Sequence, residues 1–259
     1  MMTQAKGCNV HAELEGEGNQ KVVLLHGWGC SADLMKPIAD GLSDSMKTLT
    51  IDFPGFGASD RPPEPWGVPE YAEMLRDLLT QLDFSPCDVI AHSFGARVAI
   101  FLASSDHSMI RRQVLTGAAG IRPVQSEESR KRTQNYKKMK SGIALLKKTH
   151  LLGSLPERME DALRKKYGSR DYNALDEEMR KTFVKVISLD LSDRLSAVEA
   201  PTLLIWGDQD TETPLWMGQK MEQEIPDAGL VVFEGGSHFV YLEQQKRFLT
   251  VVRHFLLEE

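Results

Sequence analysis

The chain has 259 residues, 41% of them hydrophobic and 26% charged, with a formal net charge of −6. That length supports one substantial core, or a core with a small second unit. The negative balance gives no reason to expect a nucleic-acid partner. No run of about 18 apolar residues suggests a membrane span. The opening "MMTQAKGCNVHAELEGEGNQ" lacks the apolar stretch of a signal peptide. Cys8, Cys30 and Cys87 have no close spacing, so neither a disulfide scaffold nor a zinc site is expected, and a reducing cytoplasm is the simplest setting.

In chain order, "KVVLLHG" (21–27) reads as a buried strand, and "SADLMKPIADGLS" (31–43) as a helix with Ser31 as N-cap. "KTLTIDFPGFG" (47–57) is a strand running into a Gly/Pro loop. Over 68–82, Val68, Tyr71, Leu75, Leu78, Leu79 and Leu82 recur at helical spacing and form one apolar face. A strand at 87–91, a helix at 94–104 and a strand at 112–117 follow. After residue 190 the alternation resumes, with strands at 201–207 and 229–235 and helices around 214–224 and 243–257. Strand alternating with helix predicts an α/β fold, a mostly parallel sheet covered on both faces.

Residues 121–190 break this alternation and read as a helical insertion. They carry 17 Lys and Arg against 10 Asp and Glu, a net +7, while the rest of the chain carries 14 against 27, a net −13. The expected organisation is therefore a core of 1–120 and 191–259 with 121–190 inserted.

Four short stretches carry the chemistry. In "CDVIAHSFGARVAIFLA" (87–103) an apolar strand meets His92-Ser93, and a helix begins at once. A serine hydroxyl is a weak nucleophile unless a histidine takes its proton and a carboxylate orients that histidine. A tight strand-to-helix turn exposes the serine and aims the next amide at a developing oxyanion. The stretch approaches G-x-S-x-G, with Ala91 in the first glycine position and Gly95 in the second. In "LIWGDQDTETP" (204–214), Asp210 lies on the loop beyond a buried strand; Asp208 is nearer the turn and suits a cap. In "VVFEGGSHFVYLE" (231–243), His238 follows a strand and a Gly-rich loop. In "LLHGWG" (24–29) a strand ends in a turn where the amide of Trp28 is a candidate oxyanion donor beside that of Phe94. The order Ser, Asp, His, each after a strand, makes Ser93, Asp210 and His238 the candidate catalytic residues. Trp28, Phe94 and Phe239 are the candidate substrate contacts. His92 reads as a brace for the turn, His26 as an organiser of the Trp28 loop, and His11, His107, His150 and His254 as surface residues.

The stretches "HGWG" (26–29), "DFPGFGASDRP" (52–62), "AHSFGA" (91–96), "GDQDTETP" (207–214) and "GGSHF" (235–239) together resemble the α/β-hydrolase superfamily. The resemblance implies an α/β-hydrolase fold, a Ser93–His238–Asp210 triad, an oxyanion hole from Trp28 and Phe94, and a helical cap at 121–190. A serine at 93 argues against the haloalkane dehalogenases, which place aspartate there. The layout is also similar to pimeloyl-carrier-protein methyl ester esterases, a family that receives an acidic acyl carrier protein on a basic cap. Here 130–148 holds eight basic residues and no acid. A solvated helix face is the simpler account of that run, and an anionic substrate or an acyl carrier protein the sharper one. Met139, Ile143, Leu146 and Leu152 form an apolar side suited to roofing an acyl pocket or to packing on the core.

The expected function is hydrolysis of a small-molecule carboxylic ester through an acyl-enzyme, with no metal or organic cofactor implied. A carbon–carbon bond hydrolase, a lactonase or an aminopeptidase on the same triad are the alternatives within the fold. A ligand-binding receptor with negligible turnover, or a cofactor-free haloperoxidase-like activity, lie further off.

Overall fold

Every residue from Val22 to Leu25 is inaccessible to solvent, which places this apolar stretch in the middle of a sheet covered on both faces. It forms β3 (Gln20–Leu25). A computed structural model describes residues 1–122, 127–148 and 155–257. Leu152 and His150 lie outside the described residues.

The chain begins with a hairpin, β1 (Met2–Ala5) and β2 (Cys8–Glu15), which pair antiparallel. Its alternating burial, with Cys8, Val10 and Ala12 inside, gives the period-2 pattern of a half-covered edge. After β3 come α1 (Ala32–Asp40), β4 (Met46–Ile51), α2 (Val68–Gln81), β5 (Cys87–His92), α3 (Phe94–Ala103) and β6 (Ile110–Thr116). The second part has α4 (Glu127–Lys148), α5 (Leu155–Tyr167), α6 (Arg170–Ala174), α7 (Glu177–Ser188) and a 3₁₀ turn at Ser192–Ala197. It closes with β7 (Thr202–Gly207), α8 (Trp216–Glu224), β8 (Ala228–Phe233), α9 (Val240–Glu243) and α10 (Gln245–Leu257).

The eight strands form one sheet in the order β1-β2-β4-β3-β5-β6-β7-β8. The first two pairings are antiparallel and the rest parallel. The chain thus has the α/β-hydrolase arrangement, a mostly parallel sheet with helices between its strands. One core cluster collects Val22, Leu24, Ile90, Val114 and Ile205 from the sheet with Met35, Ile38, Phe248 and Val252 from α1 and α10. Parallel strands all end on the same edge, so loops far apart in sequence meet there.

The start of α1 departs from the expected cap. Ser31 holds the extended backbone of an N-cap, but its hydroxyl makes no capping bond and donates instead to Asp33. The amide of Ala32 donates to Oδ1 of Asp52, 2.7 Å away. Asp52 is buried at the head of "DFPGFGASD" and also accepts from the amide of Ala58 and pairs with Nδ1 of His11. His11 is therefore a half-buried strut rather than a surface residue, whereas His107 and His254 are exposed. Gly57 is required here: its φ is +53°, and a Cβ would lie 2.2 Å from the Asp52 carboxyl. This stretch, which carries much of the family resemblance, is a structural knot joining β2, β4 and α1.

The chain divides into two compact units, Met1–Ile121 with Val184–Glu259, and Arg122–Phe183. In the smaller unit α4 packs on α5. Ile143 and Leu163 are buried, Leu146 is half-buried, and Met139 is largely exposed. Arg130, Lys131, Arg132, Lys137, Lys138 and Lys140 are exposed, and the Arg132 guanidinium lies over the ring of Tyr167 at 5.6 Å. Among the described residues, no helix is long and apolar enough to cross a membrane.

Candidate active site

Ser93 separates β5 from α3 with no spacer residue, so the chain must reverse its course within one residue. Its φ is +50° and ψ −103°, a conformation that side chains other than glycine rarely adopt. Such strain persists only where neighbours hold it. The Ser93 amide donates to the oxygen of Thr116 on β6, and its carbonyl accepts from the amide of Ala119. Gly95 allows the close approach on the other side. A Cβ there would lie 2.6 Å from the oxygen of Leu25, and its amide donates to the oxygen of His26. Ala91 is fully buried in β5 and fits without a glycine.

Phe94 opens α3, where amides lack an acceptor one turn back. Trp28 lies on the loop after β3, its ring 5.3 Å from that of Phe94 and 4.9 Å from that of Phe56. His26 organises this loop. Its Nδ1 donates to the oxygen of Gly27 at 2.7 Å, and its Nε2 accepts from the amide of Phe53 at 3.0 Å. That pairing requires the neutral ring, and burial pushes the imidazole pKa down to about 4.

Asp210 is reached from the end of β7, and its side chain is shielded from solvent. Oδ1 accepts the amides of Glu212 and Thr213, both at 2.9 Å. Oδ2 accepts the hydroxyl of Thr213 at 2.8 Å and lies 2.8 Å from Nδ1 of His238. Burial pushes the carboxyl pKa up, but the hydrogen bonds from His238 and Thr213 outweigh it and leave it below its ordinary value. Asp208, by contrast, is exposed and accepts from the amide of Gly235, as a turn cap does.

His238 follows the loop after β8. Its ring lies 4.6 Å from that of His92, the two planes tilted by 52°, and Nε2 of His92 donates to its backbone oxygen at 3.0 Å. His92 is buried; burial, then the neighbouring His238, pushes its pKa down to about 3, so it stays neutral and is a far weaker base than an ordinary imidazole. Phe239 is partly exposed, its ring 5.5 Å from that of His238.

The structure thus brings Asp210 and His238 into contact and joins His238 to the residue before Ser93. It brings Phe94 against Trp28, and Phe239 against His238. Two residues absent from the sequence reading complete the cluster. Gly117, at the end of β6 with φ +50°, leaves room for the pair: a Cβ there would lie 3.0 Å from Nδ1 of His238. Thr213 contacts both members of the pair. The only signal for Thr213 in the sequence is its place three residues after Asp210, the spacing of a side-chain-capped turn. Among the described residues, no group of three His, Cys, Asp or Glu side chains could hold a metal ion.

Residues 22–251 match the model of a family described as the alpha/beta hydrolase family. The chain is similar to the 2-hydroxy-6-oxononadienedioate/2-hydroxy-6-oxononatrienedioate hydrolase of Burkholderia vietnamiensis, with 27% identity over 95% of this chain and 90% of that protein. It is 25% identical to the pimeloyl-[acyl-carrier protein] methyl ester esterase of Aliivibrio salmonicida over 97% of each. Among solved structures, the enol-lactonase of Burkholderia xenovorans superposes over 100% of both chains with a TM-score of 0.76 at 22% identity, a likeness of fold.

Proposed function

The chain belongs to the alpha/beta hydrolase family, and we propose that within it this protein is a serine hydrolase that cleaves carboxylic esters through Ser93, His238 and Asp210. In this reading His238 takes the Ser93 proton on Nε2 as Oγ attacks the ester carbonyl. The amides of Trp28 and Phe94 hold the oxyanion of the tetrahedral intermediate. His238 then returns the proton to the leaving alcohol, and water, activated by the same imidazole, releases the acid. Asp210 keeps Nδ1–H pointed at its own carboxylate, which leaves the Nε2 lone pair for the proton.

One observation carries this reading: a shielded carboxylate 2.8 Å from Nδ1 of a histidine whose loop is tied to the residue preceding a strained serine. Strain of that kind costs about 1–3 kcal/mol and clusters at active sites. The likeness to a methyl ester esterase supports an ester as substrate. That likeness, with the exposed basic residues of α4, also supports an anionic or carrier-bound acyl group.

A second reading has its own support in the likeness to a 2-hydroxy-6-oxononadienedioate/2-hydroxy-6-oxononatrienedioate hydrolase. There the same residues would act on a carbon–carbon bond. One experiment addresses both. Wild type and Ser93→Ala are assayed on p-nitrophenyl acetate, butyrate and octanoate and on a vinylogous 1,5-diketone, with fluorophosphonate labelling in parallel. Turnover and labelling in wild type, with a loss of at least about 10³-fold in Ser93→Ala, bear out the nucleophile. Faster turnover of the diketone than of any ester moves the substrate to the second reading. Undiminished activity in Ser93→Ala overturns both.

A further inference from the structure

Thr213 is buried, and its hydroxyl sits among three polar partners: Oδ2 of Asp210 at 2.8 Å, the oxygen of Gly117 at 3.0 Å and Nδ1 of His238 at 3.2 Å. From this arrangement we infer that Thr213 is a positioning residue, a fourth member of the Ser93–His238–Asp210 assembly that fixes the His238 tautomer through Asp210. The inference rests on the triad reading above.

With the His238 proton on Nδ1, as the triad reading has it, the hydroxyl has one proton and two candidate acceptors. An ionised carboxylate is the stronger acceptor and is also the nearer one. With the proton turned to Gly117, two oxygens bearing only lone pairs would face each other at 2.8 Å. The proton therefore goes to Asp210. A lone pair of the hydroxyl then faces Nδ1–H of His238, so that hydrogen lies between two acceptors, Oδ2 at 2.8 Å and Oγ1 at 3.2 Å. A ring with its proton on Nε2 would instead point a bare nitrogen at the carboxylate and draw the Thr213 proton away from it. The two contacts together disfavour that tautomer more than Asp210 alone.

The Thr213 backbone is held independently of its side chain. Its amide donates to Oδ1 of Asp210, and its oxygen accepts from Nε1 of the buried Trp206 at 2.6 Å. Side-chain substitutions thus isolate the hydroxyl. Thr213→Val keeps the branched shape without the donor, and Thr213→Ser keeps the donor without the methyl group.

The test combines ester kinetics with proton NMR. Thr213→Val should lower kcat roughly tenfold while KM stays within about twofold, and Thr213→Ser should recover most of the loss. Wild type should show a far-downfield resonance from the shared Nδ1–H, assigned by its disappearance in His238→Gln. Thr213→Ser should keep that resonance, and Thr213→Val should lose it or shift it upfield, with the far-ultraviolet circular dichroism unchanged. If Thr213→Val does not fold, Thr213→Ala carries the same two readouts. Wild-type kcat together with an unchanged resonance in the donorless variant overturns the inference, as does the absence of the resonance in wild type. Failure of the triad reading looks different: Ser93→Ala keeps its activity, whatever the resonance does.

Discussion

Nε2 of His92 donates to the backbone oxygen of His238 at 3.0 Å, so the residue before the strained serine holds the loop that carries the histidine. The two rings are also in contact, 4.6 Å apart and tilted by 52°. Nδ1 of His92 faces Gly27, where a Cβ would lie 2.7 Å away, so the turn after β3 closes against the same ring. One buried neutral imidazole thereby fixes three loops relative to one another.

Replacing that ring without its donor tests the tie. His92→Phe keeps an aromatic ring of similar breadth but leaves the His238 oxygen without its partner. The expected loss is about 1–3 kcal/mol of stability, read as a lowered denaturant midpoint. A fall in kcat of roughly 10-fold to 100-fold should accompany it, because a displacement near 1 Å at the reacting groups is costly. Activity equal to wild type would show that the loop keeps its place without this bond.

The two buried imidazoles set an acid limit on stability. Burial lowers the pKa of His26 to about 4 and of His92 to about 3. In the unfolded chain both return to roughly 6.5. Below that value the unfolded state binds protons that the folded state refuses, so stability is full above about pH 6.5 and falls as the pH drops towards 4. Each ring contributes at most about 1.4 kcal/mol per pH unit in that window. Urea midpoints measured from pH 7 to pH 4 should decline accordingly. His92→Phe should flatten the slope by up to one histidine's share.

The two small positions beside the serine should respond in opposite degree. Gly95→Ala drives a Cβ to 2.6 Å from the Leu25 oxygen and 2.8 Å from that of His26, both backbone atoms with little room to move. A loss of about 2–4 kcal/mol is expected, with activity falling alongside. Ala91→Gly removes a buried methyl group from a strand and should cost roughly 1 kcal/mol with activity kept. Thermal melts and ester turnover of the two variants check both.

Strain at residue 93 implies a gain in stability when it is released. Ser93→Gly should melt higher than Ser93→Ala, by the order of 1 kcal/mol, since glycine tolerates a φ of +50° and alanine does not. Neither variant should label with fluorophosphonate. Equal melting temperatures would mean that the turn relaxes around alanine.

Much of this was legible in one dimension. Alternating apolar strands and amphipathic helices carry the α/β architecture, because each element must bury one face and its period declares which. Ser93, Asp210 and His238 stood out because loops that follow parallel strands share one edge of the sheet. Other features depended on contacts that no local pattern encodes. The hairpin β1–β2 is short and polar on its outer face, so its strands emerge only from pairing with each other and with β4. Ser31 has the residue type of a cap, but Asp52, twenty positions away, does the capping. Of the two acids after β7, the structure buries Asp210 against His238 and leaves Asp208 in solvent.

The sequence alone determined which residue types lie on which loops and in what order, since hydrophobic period and turn chemistry are local properties. Tertiary structure decided the partners: Thr213 on both Asp210 and His238, His92 on the His238 oxygen, and Gly117 as the space left for the pair. Hydrogen bonds form wherever donor and acceptor meet at about 3 Å, and for residues 25 or 146 positions apart that meeting is arranged by the packing of the whole sheet.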